Sequence, residues 1–432
     1  MRHSRLLSNN YFHATKKLVR QYFDQLDHSS SSKSHVPLAV PPYGWEEVCE
    51  ALDSMLSMKT TMGDKVRKFE ESFAKYIGTK YAVMVNSGSS ANLLALSVLS
   101  NSSFGNDRIK KGDEVITPAV TWATTVYPIV NVGAKPVFVD VDRQTYNIDA
   151  DKIELAITKK TKAIMPVHLL GFPSDMKKIK RIAGKYGLHV IEDSCEAHGA
   201  EYFGKKVGSI GDIGTFSFFA SHHITTMEGG MLVTSNKKIY ELGKALRAFG
   251  WVRDLADKQQ YKKKYPSIDS RFLFINIGYN LRPTEIQGAF GIHQIQKLNS
   301  LIKIRVENAK YWKMRLSAYS KYIMLPPDFA GFKNVYMTYP ITVNENKFFD
   351  KDDLVRDLER HGIETRPVMA GNMVRQPVMT HIDHKVSGEL VNSQYIMKNS
   401  FLIGNHQAIN DRKRKYVADI IIRFLDKKTK SD

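Results

Sequence analysis

From Tyr81 to Asn236 the chain is a succession of short apolar runs separated by polar or helix-forming stretches, and few folds accommodate that rhythm. YAVMVNS at 81–87, DEVITPA at 113–119, KPVFVDV at 135–141, KAIMPVH at 162–168 and LHVIEDS at 188–194 read as strands. GDIGTFSFF at 211–219 and GGMLVTSN at 229–236 are two further strand candidates. SSANLLALSVL and TTVYPIVNVG read as helices between the first three strands, and helices are expected around Ile153–Ile157 and Met176–Tyr186. Strands that are apolar along their whole length need cover on both faces, so the expected fold is α/β with a large, mostly parallel sheet. In such a sheet a site is sought at the polar ends of the strands.

The flanks have a different character. Residues 1–35 hold an amphipathic helix candidate and a polar tract, HSSSSKSH, that reads as a linker. Order is expected to begin at VPLAVPPYGWEEVCEALDSMLSMK, whose helix would bury Val48, Leu52, Met55 and Leu56. Beyond about residue 290 a long helix leads into YMTYPITVN, the helix FDKDDLVRDLERHG and a closing helix around Tyr416–Phe424, the makings of a smaller α+β domain. The expected division is an extension at 1–35, a large domain at 36–305 and a small C-terminal domain at 306–432.

Composition narrows the function. Two cysteines, Cys49 and Cys195, supply neither a disulfide framework nor a four-thiolate iron–sulfur site. No apolar stretch approaches the ~18 residues of a membrane span, and no apolar core follows the basic N-terminus, so a cytoplasmic protein without a membrane partner is expected. The formal net charge of +19 is compatible with a solvated surface or with attraction of an anionic substrate. Nucleic acid is not an expected partner, because no helix-turn-helix unit is evident before Val36.

Three segments carry candidate chemistry. In NSGSSANLLAL, at 86–96, a strand ends at a glycine and serines open a helix, which serves either as a phosphate cradle or as a plain serine-capped helix start. In HVIEDSCEAHGA, Glu192 and Asp193 close an apolar strand, where a carboxylate can bind magnesium, act as a base, pair with a protonated ring nitrogen, or cap a loop. In TFSFFASHHITTMEGG, His222 and His223 are adjacent; neighbouring side chains diverge on a strand or a helix, so a shared metal is not expected.

Taken together with PAVTWATT, FVDVD and GYNLRPTEIQGAFG, these segments resemble the sugar aminotransferases of the DegT/DnrJ/EryC1 family, over nearly everything from Val36 to Phe424. The resemblance implies the pyridoxal 5′-phosphate (PLP) fold type I, aspartate-aminotransferase-like, and a cofactor cycling between PLP and pyridoxamine 5′-phosphate. It implies that Asp193 pairs with the ring nitrogen and that Trp122 stacks on the ring. Gly88, Ser89 and Ser217 would hold the phosphate, and His168 would lie near the ring. Asn280 would reach the phosphate of a partner subunit, making a homodimer part of the site. Glu196, where the family has glutamine, is left without a role, and Arg282, beside Asn280, either bridges subunits or is structural.

The family's catalytic lysine falls five residues after the serine at 217, and here that position is His222. ASHHITTMEGG, KTTMG, FGWVRDL, ETRPVMAGN and IGNHQ are similar to the branch that dehydrates GDP-4-keto-6-deoxymannose at C3, on the route to colitose in O-antigen lipopolysaccharide. A lysine both bonds the cofactor covalently and moves protons. Histidine does only the second, with an unperturbed pKa of ~6.5 suited to a base. The resemblance implies that L-glutamate aminates the cofactor and leaves as 2-oxoglutarate. His222 then shuttles a proton, the C3 hydroxyl of the nucleotide-linked 4-keto sugar leaves, and water releases a 4-keto-3,6-dideoxy sugar and ammonia. It further implies substrate contacts from Arg253, Arg366, Asn372 and His406. A related branch uses an iron–sulfur cluster, which two cysteines cannot ligate, so no cluster and no metal are expected. The competing readings are a true 4-aminotransferase, which wants a lysine at 222, and a non-catalytic binding protein of the same fold.

Overall fold

The computed structural model describes residues 2–29 and 35–429, with side chains for 11–26 in the first segment; residues 30–34 of the tract expected as a linker lie outside the described residues. An eight-stranded sheet organises the larger part. Its strands are β1 (Tyr81–Val85), β2 (Glu114–Pro118), β3 (Lys135–Val139), β4 (Thr161–Ile164), β5 (His189–Asp193), β6 (Ile213–Ser217) and β7 (Gly230–Thr234), in the order β1-β7-β6-β5-β4-β2-β3, with the short strand Lys385–Val386 outside β3. All neighbours pair in parallel except those of β7, which runs against the rest. Because β7 is reversed, its first residue, Gly230, lies at the same sheet edge as the last residues of β5 and β6.

Helices clothe both faces, as the wholly apolar strands demand. In chain order this part carries the helices α1 (Arg2–Ser29), α2 (Trp45–Leu56), α3 (Asp64–Ile77), α4 (Gly88–Leu99), α5 (Ala123–Asn131), α6 (Met176–Tyr186) and α7 (Lys237–Arg247), with α1 packing on α2. On α6 the apolar residues Ile179 and Ile182 face the sheet while the lysines point outward, Lys178 meeting Asp151 at 2.9 Å. This basic run is a solvated helix face. The helix expected at 153–157 is a single 3-10 turn, Glu154–Ala156, too short for an apolar period to repeat. The face expected for α2 is also wrong: Glu47, Cys49, Ala51 and Ser54 are buried, whereas Met55 and Leu56 are exposed. Glu47 is tolerated inside because Lys297 and Gln294 bond it, so the polar residue won the buried side.

One helix, α8 (Glu285–Leu316), joins the two parts; it starts on a capping box made by Thr284 and Gln287. It passes unbroken through residue 305, where a division was expected. Leu298, Leu301 and Ile302 pack in the core beneath β1, β6 and β7, and Ala309, Trp312 and Leu316 pack in the core of the small domain. That domain is an antiparallel sheet of β8 (Ile323–Met324), β9 (Tyr339–Val343), β10 (Thr365–Pro367) and β11 (Ser400–Ile403), ordered β8-β9-β11-β10. Val36 is buried in this second core and bridges to Ile363, so the strap after the extension packs on the small domain.

Candidate active site

The C-terminal edge of the sheet gathers the ends of β1, β2, β5 and β6 around one cup. After β1 the chain turns at Ser87, whose hydroxyl caps α4 by accepting from the Ser90 amide at 3.1 Å. The turn presses on β6 and β7. A methyl group on Gly88 would overlap Cβ of Ser217 and stand 2.8 Å from its Oγ; one on Gly230 would overlap the Ser87 carbonyl. Only glycine permits this approach, and it leaves the first amides of α4 beside the hydroxyls of Ser89 and Ser217. Ser89 is exposed and donates to Thr124 Oγ1 at 3.0 Å.

Asp193, at the end of β5, is the buried acid of the cup. Its Oδ2 accepts from Asn92 at 2.9 Å and from Thr125 Oγ1 at 2.8 Å, and its Oδ1 accepts from the Cys195 amide at 3.2 Å. Asn92 also accepts from Thr215 at 2.6 Å and donates to the Thr124 carbonyl at 3.1 Å. This fastens α4, α5, β5 and β6 to a single carboxylate. Trp122 caps α5 beside this network and is 57% exposed, unusual for an indole.

His168 neighbours Asp193 through its backbone amide, which donates to the Asp193 carbonyl at 2.9 Å. Both its ring nitrogens are engaged within the fold: Nδ1 accepts from the Ser174 amide at 3.0 Å, and Nε2 donates to Glu192 at 3.0 Å. Glu192 accepts in addition from the amides of Gly208, Ile210 and Gly211. Of the two acids that end β5, Glu192 is therefore structural. Glu196 is buried, accepts from the Leu170 amide at 2.7 Å, and is raised to about 8 by burial, with the nearby Asp193 charge adding to the shift.

His222 sits on the loop between β6 and β7, partly accessible, with Nδ1 3.0 Å from Met337 Sδ. Sulfur only accepts, so Nδ1 carries the hydrogen and Nε2 the lone pair a base needs. Burial, and then the positive charge of Arg305, lower its pKa to about 4, so the ring is neutral at pH 7. His223 points away and donates from Nε2 to the Val335 carbonyl at 3.0 Å.

The remaining candidates fall into three places. Asn372 is buried, caps its own turn and bridges to Val120, two residues from Trp122. Arg366 is exposed on β10, whereas His406 is buried in the small domain, its Nε2 holding the Pro37 carbonyl at 2.9 Å rather than facing solvent. Arg253, Asn280 and Arg282 lie on an exposed surface around Trp251; the Arg282 guanidinium stands 4.8 Å from the Phe249 ring centroid and bonds Asn280 at 3.0 Å. The segment carrying Asn280 and Arg282 meets the rim of the cup through its backbone, the Leu281 carbonyl accepting from the Asn86 amide at 3.0 Å. Sequence reasoning passed over Asn92, Thr125 and Thr215, although an asparagine inside the otherwise apolar stretch ANLLAL was a visible sign of a buried polar partner.

A large sheet with its cup at the C-terminal edge, tied by a shared helix to a small antiparallel domain, is the plan of the fold type I enzymes that use PLP. The model of the DegT/DnrJ/EryC1/StrS aminotransferase family matches residues 43–422, and the chain belongs to that family. It is 39% identical over 374 residues to the GDP-4-keto-6-deoxy-D-mannose 3-dehydratase of Yersinia pseudotuberculosis, covering 86% of this chain and 94% of that protein. The Escherichia coli GDP-4-keto-6-deoxy-D-mannose-3-dehydratase solved with bound hydrated PLP superposes with a TM-score of 0.83 at 36% identity, over 90% of this chain and 99% of that one. A GDP-4-keto-6-deoxymannose-3-dehydratase structure with a trapped PLP–glutamate geminal diamine gives 0.82 at 36% identity, over 90% of this chain and all of that one.

Proposed function

We propose that this chain is a PLP-dependent dehydratase that removes the C3 hydroxyl of a GDP-linked 4-keto-6-deoxyhexose, with L-glutamate as amino donor. The observation that carries the reading is His222 in the family's lysine position: a neutral imidazole at the mouth of an otherwise intact cup. The cup fits the cofactor. A glycine-tight turn with hydroxyls and helix amides suits a phosphate, a buried carboxylate with its own donors suits a ring nitrogen, and an exposed indole suits a ring face. When bound, PLP supplies an electron-withdrawing ring and, once aminated, an amine that engages the sugar ketone.

The chain's own residues do the rest. Gly88, Ser89 and Ser217 would hold the phosphate, and Asp193, kept in place by Asn92 and Thr125, would keep the ring nitrogen protonated. His222 Nε2 would take and return a proton, and, lacking a primary amine, histidine leaves release of the product to water. The loss of a covalent anchor makes the non-covalent cup the whole of cofactor retention. Arg253 and Arg366 are assigned to the diphosphate and the glutamate carboxylate, a use to which exposed guanidinium groups are suited. We assign Asn280 and Arg282 to a partner's cup in a homodimer, which the exposure of Asn280 and the partial exposure of Arg282 beside the aromatic cluster of Phe249 and Trp251 support. No helix among the described residues is long and apolar enough to cross a membrane, and a cytoplasmic enzyme is the reading we adopt.

The test is proton NMR of GDP-4-keto-6-deoxymannose incubated with the enzyme, PLP and glutamate, with CDP- and dTDP-linked 4-keto sugars in parallel. A new C3 methylene signal, formed fastest from the GDP sugar, is the expected result. An unchanged C3–OH with a new amine at C4 would contradict it.

A further inference from the structure

Arg305, in the middle of α8, is 2% exposed and makes no ion pair with a carboxylate among the described residues. A guanidinium buried with no counter-charge is costly, and its burial is reflected in a pKa lowered to about 9. Such an arrangement persists where the charge has a use. The fork donates to three backbone carbonyls from separate parts of the chain. Nη1 donates to Met337 at 2.6 Å and to Asn405, and Nη2 to His222 at 3.4 Å. Asn405 follows β11 of the small domain and returns two bonds, to the carbonyls of Arg305 and Tyr336, each at 3.1 Å. Met337 is also the residue whose sulfur meets the His222 ring.

We propose that Arg305 is a positioning residue for His222, fastening both the loop that carries the imidazole and the residue against which the ring rests to one point on the interdomain helix. The inference rests on the reading of His222 as the base. It adds that the seat of that base is built jointly by the large and small domains. Around the ring stand His198, with centroids 6.0 Å away, and Arg305; the His223 ring lies tilted against His198 at 5.5 Å. Desolvation holds His198 and His223 well below the usual histidine range, so Arg305 is the charged member of this group. Its charge also favours neutral His222.

Two variants separate position from charge. Arg305→Lys keeps a cation but replaces the planar fork by one ammonium that cannot reach all three carbonyls. It is expected to lower kcat by about ten-fold while leaving the sugar KM and the acid limb of the kcat profile unchanged. Arg305→Met removes both fork and charge, and is expected to lower kcat as far and also to move the acid limb up by about one pH unit. Each variant is first checked for unchanged circular dichroism and cofactor affinity, and the His222 ring is titrated by NMR in all three proteins. Wild-type kcat and an unmoved His222 titration in a folded Arg305→Met would overturn the proposal. Full activity in His222→Ala would instead overturn the underlying assignment of the base, whatever the Arg305 variants do.

Discussion

Replacing Gly88 by alanine tests the non-covalent cup at its tightest point. The added methyl would overlap Ser217 Cβ and stand 2.8 Å from its Oγ and 3.0 Å from its Cα. Carbon atoms rest at about 3.5–4.0 Å, so the turn after β1 and the end of β6 must part by roughly 1 Å. Overpacking of this kind costs about 1–3 kcal/mol of stability. The larger effect falls on the ligand: a hydrogen bond to a charged group is worth about 1.5–3 kcal/mol, so losing one phosphate contact weakens binding by roughly 10- to 150-fold. With no lysine to hold the cofactor covalently, that loss appears undiluted in its Kd. Titration of PLP into apo-protein, followed by quenching of the exposed Trp122, measures it directly. A Kd within two-fold of wild type would refute the placement of the phosphate at this turn.

His222→Asn is expected to lower dehydration by about 10²–10⁴-fold while cofactor affinity changes little, as measured by initial rates and the same titration. Asn92→Ala removes one of the two side-chain donors that fix Asp193 Oδ2, and is expected to weaken cofactor binding by about ten-fold without abolishing folding. Glu196 is held up at about 8 against an ordinary value of 4.5, so folding favours its protonated form. Its contribution to stability is full below about pH 4.5, declines as pH rises and is lost above about pH 8. Glu196→Gln, which cannot ionise, should therefore flatten the fall in urea midpoint between about pH 4.5 and pH 8; an identical slope in both proteins would contradict the assignment.

The sheet was legible because every strand carried its own short, β-branched apolar run; length and the flanking turn residues, not period, set these runs apart from helices. The 3-10 turn at 154–156 and the buried face of α2 were not. Ile153 and Ile157 offer one apolar turn with no repeat, and Glu47 is buried only because Lys297 and Gln294, some 250 residues later, meet it. The site divides in the same way. Gly88, Asp193, Ser217 and His222 stand in contiguous motifs at strand ends, where local spacing carries information. Asn92, Thr125 and Arg305 act through partners distant in sequence, and the double engagement of His168 by Glu192 and Ser174 needs the folded chain to be seen. The basic composition proved least informative, since lysines such as Lys178 and Lys185 are spent on surface acids.

Histidine in the lysine position turns amino transfer into loss of a hydroxyl. Mass spectrometry of the nucleotide sugar formed from GDP-4-keto-6-deoxymannose, PLP and 15N-glutamate, with free ammonia collected from the same reaction, tests it most directly. A sugar lighter by one oxygen and free of 15N, with the label recovered as ammonia, is the predicted result. A sugar that keeps every other hydroxyl and carries 15N at C4 would contradict the account.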